Sequence, residues 1–233
     1  MGLSFAATLI AISGCKTGAD SQNLQGVKLY QQGQFQPALQ QFQQAMAADP
    51  KNADAYYNMA ATQHRMGVQA NDQQMLAQAE KAYNQCLDLN PNHADCHRGL
   101  AVLLVETGRP DRAFNLLKNW ATANPTSAEA RIELARLYEE FGDLETAKVQ
   151  LNQAIVADQN SARAWAALGR LREKTGDYQQ ALANSQRSWS LNSLQTGIAE
   201  RIASLNQALQ SSVSSTTGTA AQAVTATGSP PMR

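Results

Sequence analysis

An all-α solenoid is the fold class this chain predicts, and three observations predict it. Glycines recur at Gly33, Gly67, Gly108, Gly142 and Gly176, in steps of 34, 41, 34 and 34 residues. Alanines keep the same phase: Ala38, Ala113, Ala147 and Ala181 each follow a glycine by five residues, and Ala79 takes that role after seven extra residues in the second unit. The composition is helical, dominated by glutamine, alanine, asparagine and leucine, with aromatics at only 6% and few Gly or Pro. A fixed period of this length marks a stack of small helical units, none of which buries its apolar face alone.

Each element has a local reason. Leu100 and Leu104, and Leu134 and Tyr138, stand four apart and share one helix face. Glycine ends the first helix of a unit, because it adopts positive φ without strain. The phased alanines let the two helices of a unit approach closely. Pro50, Pro91 and Pro125 end the second helix, with Gln159 and Ser193 in the last two units. Asp111, Asp143 and Asp177 follow their glycines and suit the start of the second helix. The first helices are expected at 21–32, 54–66, 95–107, 129–141 and 163–175. The second helices are expected at 35–48, 73–89, 111–123, 145–157 and 179–191. Ile198, Ile202, Leu205 and Leu209 continue an apolar face as a closing helix, which shields the core of the last unit.

This pattern resembles the tetratricopeptide repeat (TPR). The third unit shows it in His97, Leu100, Ala101, Leu104, Gly108, Ala113, Leu117 and Pro125. The fifth shows it in Trp165, Leu168, Gly169, Gly176, Tyr178 and Ala181. The resemblance implies a right-handed solenoid over 21–210, with repeats at 19–52, 53–93, 94–127, 128–161 and 162–195 and a cap at 196–210. Two irregularities stand out. Trp120 falls at a position held by Cys86 and Ala154 in neighbouring repeats, and the insertion "VQANDQQM" at 68–75 lengthens the second unit.

The two ends read differently. Leu3–Ile12 is apolar but far shorter than the roughly 20 residues that span a bilayer. Its length suits the apolar core of a signal peptide over 1–14. Ile12-Ser13-Gly14-Cys15 resembles the bacterial lipobox, in which the cysteine becomes the acylated N-terminus. That resemblance implies lipidation at Cys15, a tether over 15–20 and a place in the bacterial cell envelope. Lys16 after the cysteine points to the outer membrane, facing the periplasm. From Ser211 to Arg233 the chain is Ser, Thr, Ala, Gly and Pro with almost no bulky apolar residue, and it is expected to be disordered.

Charge excludes some functions. With 19 basic and 19 acidic residues the chain is neutral, whereas a nucleic-acid binder needs a basic footprint. No Gly-rich phosphate loop, G-x-S-x-G or H-E-x-x-H motif is present, so no catalytic residue, cofactor or metal is expected. The segment "CLDLNPNHADCH" holds Cys86, His93, Cys96 and His97. A zinc reading is set aside, because the ligands lack zinc-finger spacing and the adjacent Cys96 and His97 point apart on a helix. Two readings stay open for the cysteines: a disulfide, since Cys86 and Cys96 lie symmetrically about Pro91, or two buried free thiols.

In the TPR family, first helices line a concave surface that takes an extended peptide or a partner helix. By repeat register the resemblance places Tyr30, Tyr57, Asn58, Arg98, Arg136, Glu140 and Arg170 there. The family's carboxylate clamp is not matched, since only Asn58 fits it. The expected function is a lipid-anchored scaffold for protein partners, by analogy with the pilotin-like lipoproteins of type IV pili and other envelope adaptors. The rival is an envelope receptor or enzyme using Tyr57 and the Cys/His cluster.

Overall fold

The structure, a computed structural model, describes residues 12–225, and the side chains of 18–211. All eleven elements of the described residues are helices, and they form two compact units divided at Trp120/Ala121. The first unit holds α1 (Ile12–Gln31), α2 (Phe35–Ala48), α3 (Ala53–Ala70), α4 (Gln73–Leu89) and α5 (Ala94–Glu106). Helix α6 (Pro110–Ala123) starts in it and ends just past the division. The second holds α7 (Ala128–Glu140), α8 (Leu144–Ala157), α9 (Ala162–Lys174), α10 (Tyr178–Leu191) and α11 (Ile198–Thr225).

Within each unit the packing is that of stacked helix pairs. The most extensive contacts join α3 to α4 and α1 to α2 in the first unit, and α9 to α10 and α7 to α8 in the second. The phased alanines lie at these contacts: Ala38, Ala79, Ala147 and Ala181 are all fully buried. In the second unit Ile132, Ala135, Leu151, Ala154, Ala164 and Leu168 form one core, with Tyr138 and Leu144 packed on its edge. Ile198 and Leu205 of α11 are buried, as a closing helix requires.

Caps recur with the repeat. Asn52, His93, Ser127 and Ser161 accept backbone N–H bonds at the starts of first helices. Asp72, Asp143 and Asp177 do so at the starts of second helices. Asp111 lies in the first turn of α6, behind Pro110 at the position where a missing N–H costs nothing. The Thr146 side chain and its N–H bond to the Asp143 carboxylate and hold its pKa below the ordinary value.

Four boundaries differ from the sequence reading. First, Gly67 does not end α3. It lies buried inside the helix, where a Cβ would stand 2.9 Å from Leu76 Cδ2 and 3.1 Å from the Leu76 backbone nitrogen. The insertion instead prolongs α3 to Ala70, and Asn71 takes the left-handed position at φ 51°. Asparagine serves because its short polar side chain tolerates that region. Second, α1 begins at Ile12, so the expected tether over 15–20 is helical. Third, that helix also takes in Ile12–Cys15, whose side chains lie outside the described ones, as do residues 1–11 entirely. Fourth, the closing helix passes its expected end at 210 and runs to Thr225, because an alanine-, serine- and threonine-rich stretch free of proline leaves the backbone ladder unbroken. Residues 226–233 of the expected tail lie outside the described residues.

Candidate partner-binding site

In the first unit Tyr30, Tyr57, Asn58 and Arg98 lie on the first helices α1, α3 and α5. Tyr30 is half-buried and packs on Phe35, ring centroids 5.4 Å apart. Tyr57 is also half-buried, between Tyr83 at 6.3 Å and His93 at 5.3 Å. Burial first, and then the Asp95 carboxylate, push its phenol above the ordinary value, so it stays neutral. Asn58 donates to Asn23 Oδ1 at 2.9 Å, which ties α3 to α1. Arg98 is paired with Asp95, less than one turn before it on the same helix. Tyr57 and Asn58, with Val27, Tyr30, Phe42 and Ala61, line a small cavity of about 90 Å³.

A larger cavity of about 440 Å³ opens beside it, lined by Tyr30, Ala61, His64, Arg65, Val68, Gln69, Tyr83 and Glu106. His64 and Glu106 meet at 2.7 Å in its wall, and the His64 ring meets Tyr83 edge-on at 6.1 Å. Tyr83 is buried, which pushes its phenol far above the ordinary value. It fills the slot that Phe42, Leu117 and Leu151 fill in other repeats. It reaches so close to α5 that a Cβ at residue 99 would stand 2.7 Å from its hydroxyl oxygen, which is why Gly99 is glycine. The sequence reading overlooked Tyr83, His64 and Glu106. Gly99, standing two residues before a repeat position already held by Ala101, was the signal of a crowded neighbour.

In the second unit Arg136 Nε donates to Glu133 Oε2 at 3.2 Å and its Nη1 to Glu140 Oε2 at 3.3 Å. Glu133 is fully buried, and Arg163 Nη2 donates to its other oxygen at 2.5 Å while also pairing with Glu129. Two of the three arginines expected on the concave surface are therefore already engaged. Arg98 and Arg136 already hold acidic partners on their own helices, because residues three and four apart on a helix face each other. Arg170 is exposed, with no ion pair among the described residues.

Cys86 and Cys96 are joined as a disulfide, Cα atoms 6.6 Å apart, linking α4 to α5 across the Pro91 turn. One ring nitrogen of His93 stands with the two sulfurs, all three ligand atoms within 4.8 Å of one another, a grouping a metal would accept if the thiols were free. Here the sulfurs are bonded to each other, and both ring nitrogens of His93 are engaged: Nδ1 accepts from the Cys96 N–H and Nε2 faces Asp54 Oδ1 at 3.0 Å. His97 lies apart from this group. Its ring stacks on Trp120, centroids 4.0 Å and planes 8° apart, and its Nε2 reaches the Pro91 carbonyl at 2.9 Å. Trp120 Nε1 donates to Asn92 Oδ1 at 3.3 Å, so the large residue at a small position packs back toward the Pro91 turn.

Serial helix pairs with buried alanines between them, and cavities in the first unit, define a helical-repeat scaffold of the kind that binds other proteins. Tetratricopeptide-repeat models match residues 70–118, 104–171 and 162–192, and a TPR repeat model matches 26–67. The chain belongs to the tetratricopeptide-repeat family. Among solved structures it is similar to a thermophilic TPR protein of Thermus thermophilus, at 22% identity, TM-score 0.61, over 81% of this chain and 99% of that one. It is similar also to PilF of Pseudomonas aeruginosa, at 16% identity, TM-score 0.54, over 85% of this chain and 93% of that one. These likenesses are of fold. No curated protein matches the chain.

Proposed function

We propose that the chain is a lipid-anchored TPR scaffold of the bacterial cell envelope, held to the outer membrane through Cys15 and facing the periplasm. It binds protein partners along its first helices, assists assembly of an envelope complex, and acts by binding and not by catalysis. The observation that carries the anchor is Ile12-Ser13-Gly14-Cys15 behind an apolar run. The Cys86–Cys96 bond supports an oxidising compartment, since disulfides persist there and are rare in the cytosol. The repeat fold supports protein binding, because stacked pairs offer an extended surface. Cys15→Ala should leave the precursor uncleaved and release the protein from membranes. Unchanged membrane fractionation of that variant would refute the anchor. Crosslinking in the native host with mass spectrometry tests the binding role, and its absence of any reproducible protein partner would refute the scaffold.

A further inference from the structure

We infer that the 440 Å³ cavity of the first unit is a side-chain pocket for a bulky apolar residue that stands next to a carboxylate in an extended partner segment. This rests on the reading of the chain as a protein-binding scaffold. Four observations carry it. The cavity has the volume of a ligand site and room for a large side chain. Much of its wall is apolar: the rings of Tyr30 and Tyr83, with Ala61 and Val68. Its polar groups are unequally engaged. Glu106 is engaged by His64, whereas Arg65 is exposed at the cavity and its guanidinium makes no hydrogen bond or ion pair among the described residues. An anchoring side chain that enters the cavity therefore brings its neighbour toward an available guanidinium, whose fork suits a carboxylate.

The fourth observation is specific to this chain. First helices α5, α7 and α9 are each 13 residues long, but α3 has 18. The added length comes from the insertion, and its Val68 and Gln69 are walls of the cavity. A regular repeat would end near Gly67 and lack both. The insertion, which also supplies the Asn71 end of α3 and the Asp72 cap of α4, thus builds one side of the pocket.

The test is panning of a phage-displayed library of random linear peptides on the full chain, followed by affinity measurement of the enriched peptides on variants. Enriched peptides should pair a large apolar residue with Asp or Glu one or two positions away. Arg65→Glu is an exposed change. It should weaken those peptides by about tenfold, the scale of one charge-assisted contact, and should turn selection toward Lys and Arg. Ala61→Phe should fill the cavity and weaken them at least as much, with unchanged circular dichroism. No enrichment, enrichment of another pattern, or affinities within about twofold of wild type on both variants would overturn the pocket. If crosslinked partners of the native protein persist in Ala61→Phe, the scaffold reading stands while the pocket falls. If wild type captures no partner at all, both fall.

Discussion

The turn at Pro91 and the turn at Gln159 share one register and differ in what closes them. Cys86 and Cys96 stand ten residues apart and are covalently joined. Ala154 and Ala164 hold the same two positions at the later turn, both fully buried, and meet only by packing. Ala45 and Ala55 repeat the apolar version at the first turn. The cysteines are thus substitutions into an existing small-residue contact, and the helices need no special path to bring them together. What surrounds the contact also differs. The unit that contains Pro91 holds all three histidines of the chain, the stacked Trp120 and the large cavity. Around Gln159 lie an alanine and leucine core and the buried Glu133 with its arginines. The first unit has been specialised on a framework that the second shows in plainer form.

The largest way to break the contrast is to make the two turns alike. Replacing Cys86 and Cys96 together by alanine should leave the fold intact, because alanine is native at the equivalent sites. It should cost about 2–3 kcal/mol, the loop-closure contribution of a short cross-link. Denaturation of oxidised wild type against the double variant measures it, with amide exchange assigning the loss to residues before Trp120. Equal stability of the two proteins would mean that the bond adds nothing to packing. Ala154→Cys with Ala164→Cys should conversely form a bond at the plain turn, visible as a faster-migrating band without reductant.

A smaller difference should appear with acid. Burial in the stack against Trp120 lowers the His97 pKa below its ordinary value, outweighing the Pro91 hydrogen bond. The folded state therefore keeps His97 neutral where the unfolded chain already takes up a proton. Stability from this group is complete above about pH 6.5, the unfolded value, and declines as pH falls below it toward the lowered folded value. The second unit has no histidine and lacks this response. Amide exchange at pH 7.5 and 5.5 should show loosening around α5 and α6 that His97→Gln reduces. An identical pH response in His97→Gln would assign the effect elsewhere.

Where sequence and structure part company, the repeat itself explains it. Period, helix pairs, caps at Asp143 and Asp177 and buried alanines were legible, because each follows from a residue type recurring at one phase. The pairing of Cys86 with Cys96 was readable as one of two options, since symmetry about Pro91 fixes proximity but not oxidation. The ion pairs of Arg98 and Arg136 were not legible. Register places a side chain on a face but does not reveal that Asp95 or Glu140, at helical spacing, engages it first. The cavity was invisible for a related reason. It is built from Tyr83, an outsized ring at a regular slot of a second helix, and from Val68 on an extension, and the repeat pattern gives neither that size nor that length.

The smallest expected effect concerns that extension. The regular turns use Gly33, Gly108, Gly142 and Gly176 at φ between 74° and 83°, whereas α3 ends on Asn71 at φ 51°. Asparagine tolerates this conformation but glycine adopts it with no Cβ cost, so Asn71→Gly should be neutral or stabilising by a few tenths of a kcal/mol. Asn71→Ala keeps a Cβ and loses the polar side chain, and should cost about 1 kcal/mol. The pair of variants also reports on the cavity wall, because Val68 and Gln69 lie in the turn that Asn71 terminates. If Ala is tolerated as well as Gly, the left-handed turn is not what holds the end of α3. The inserted segment would then fray, and the difference between this repeat and its regular neighbours would lie in mobility and not in a fixed wall.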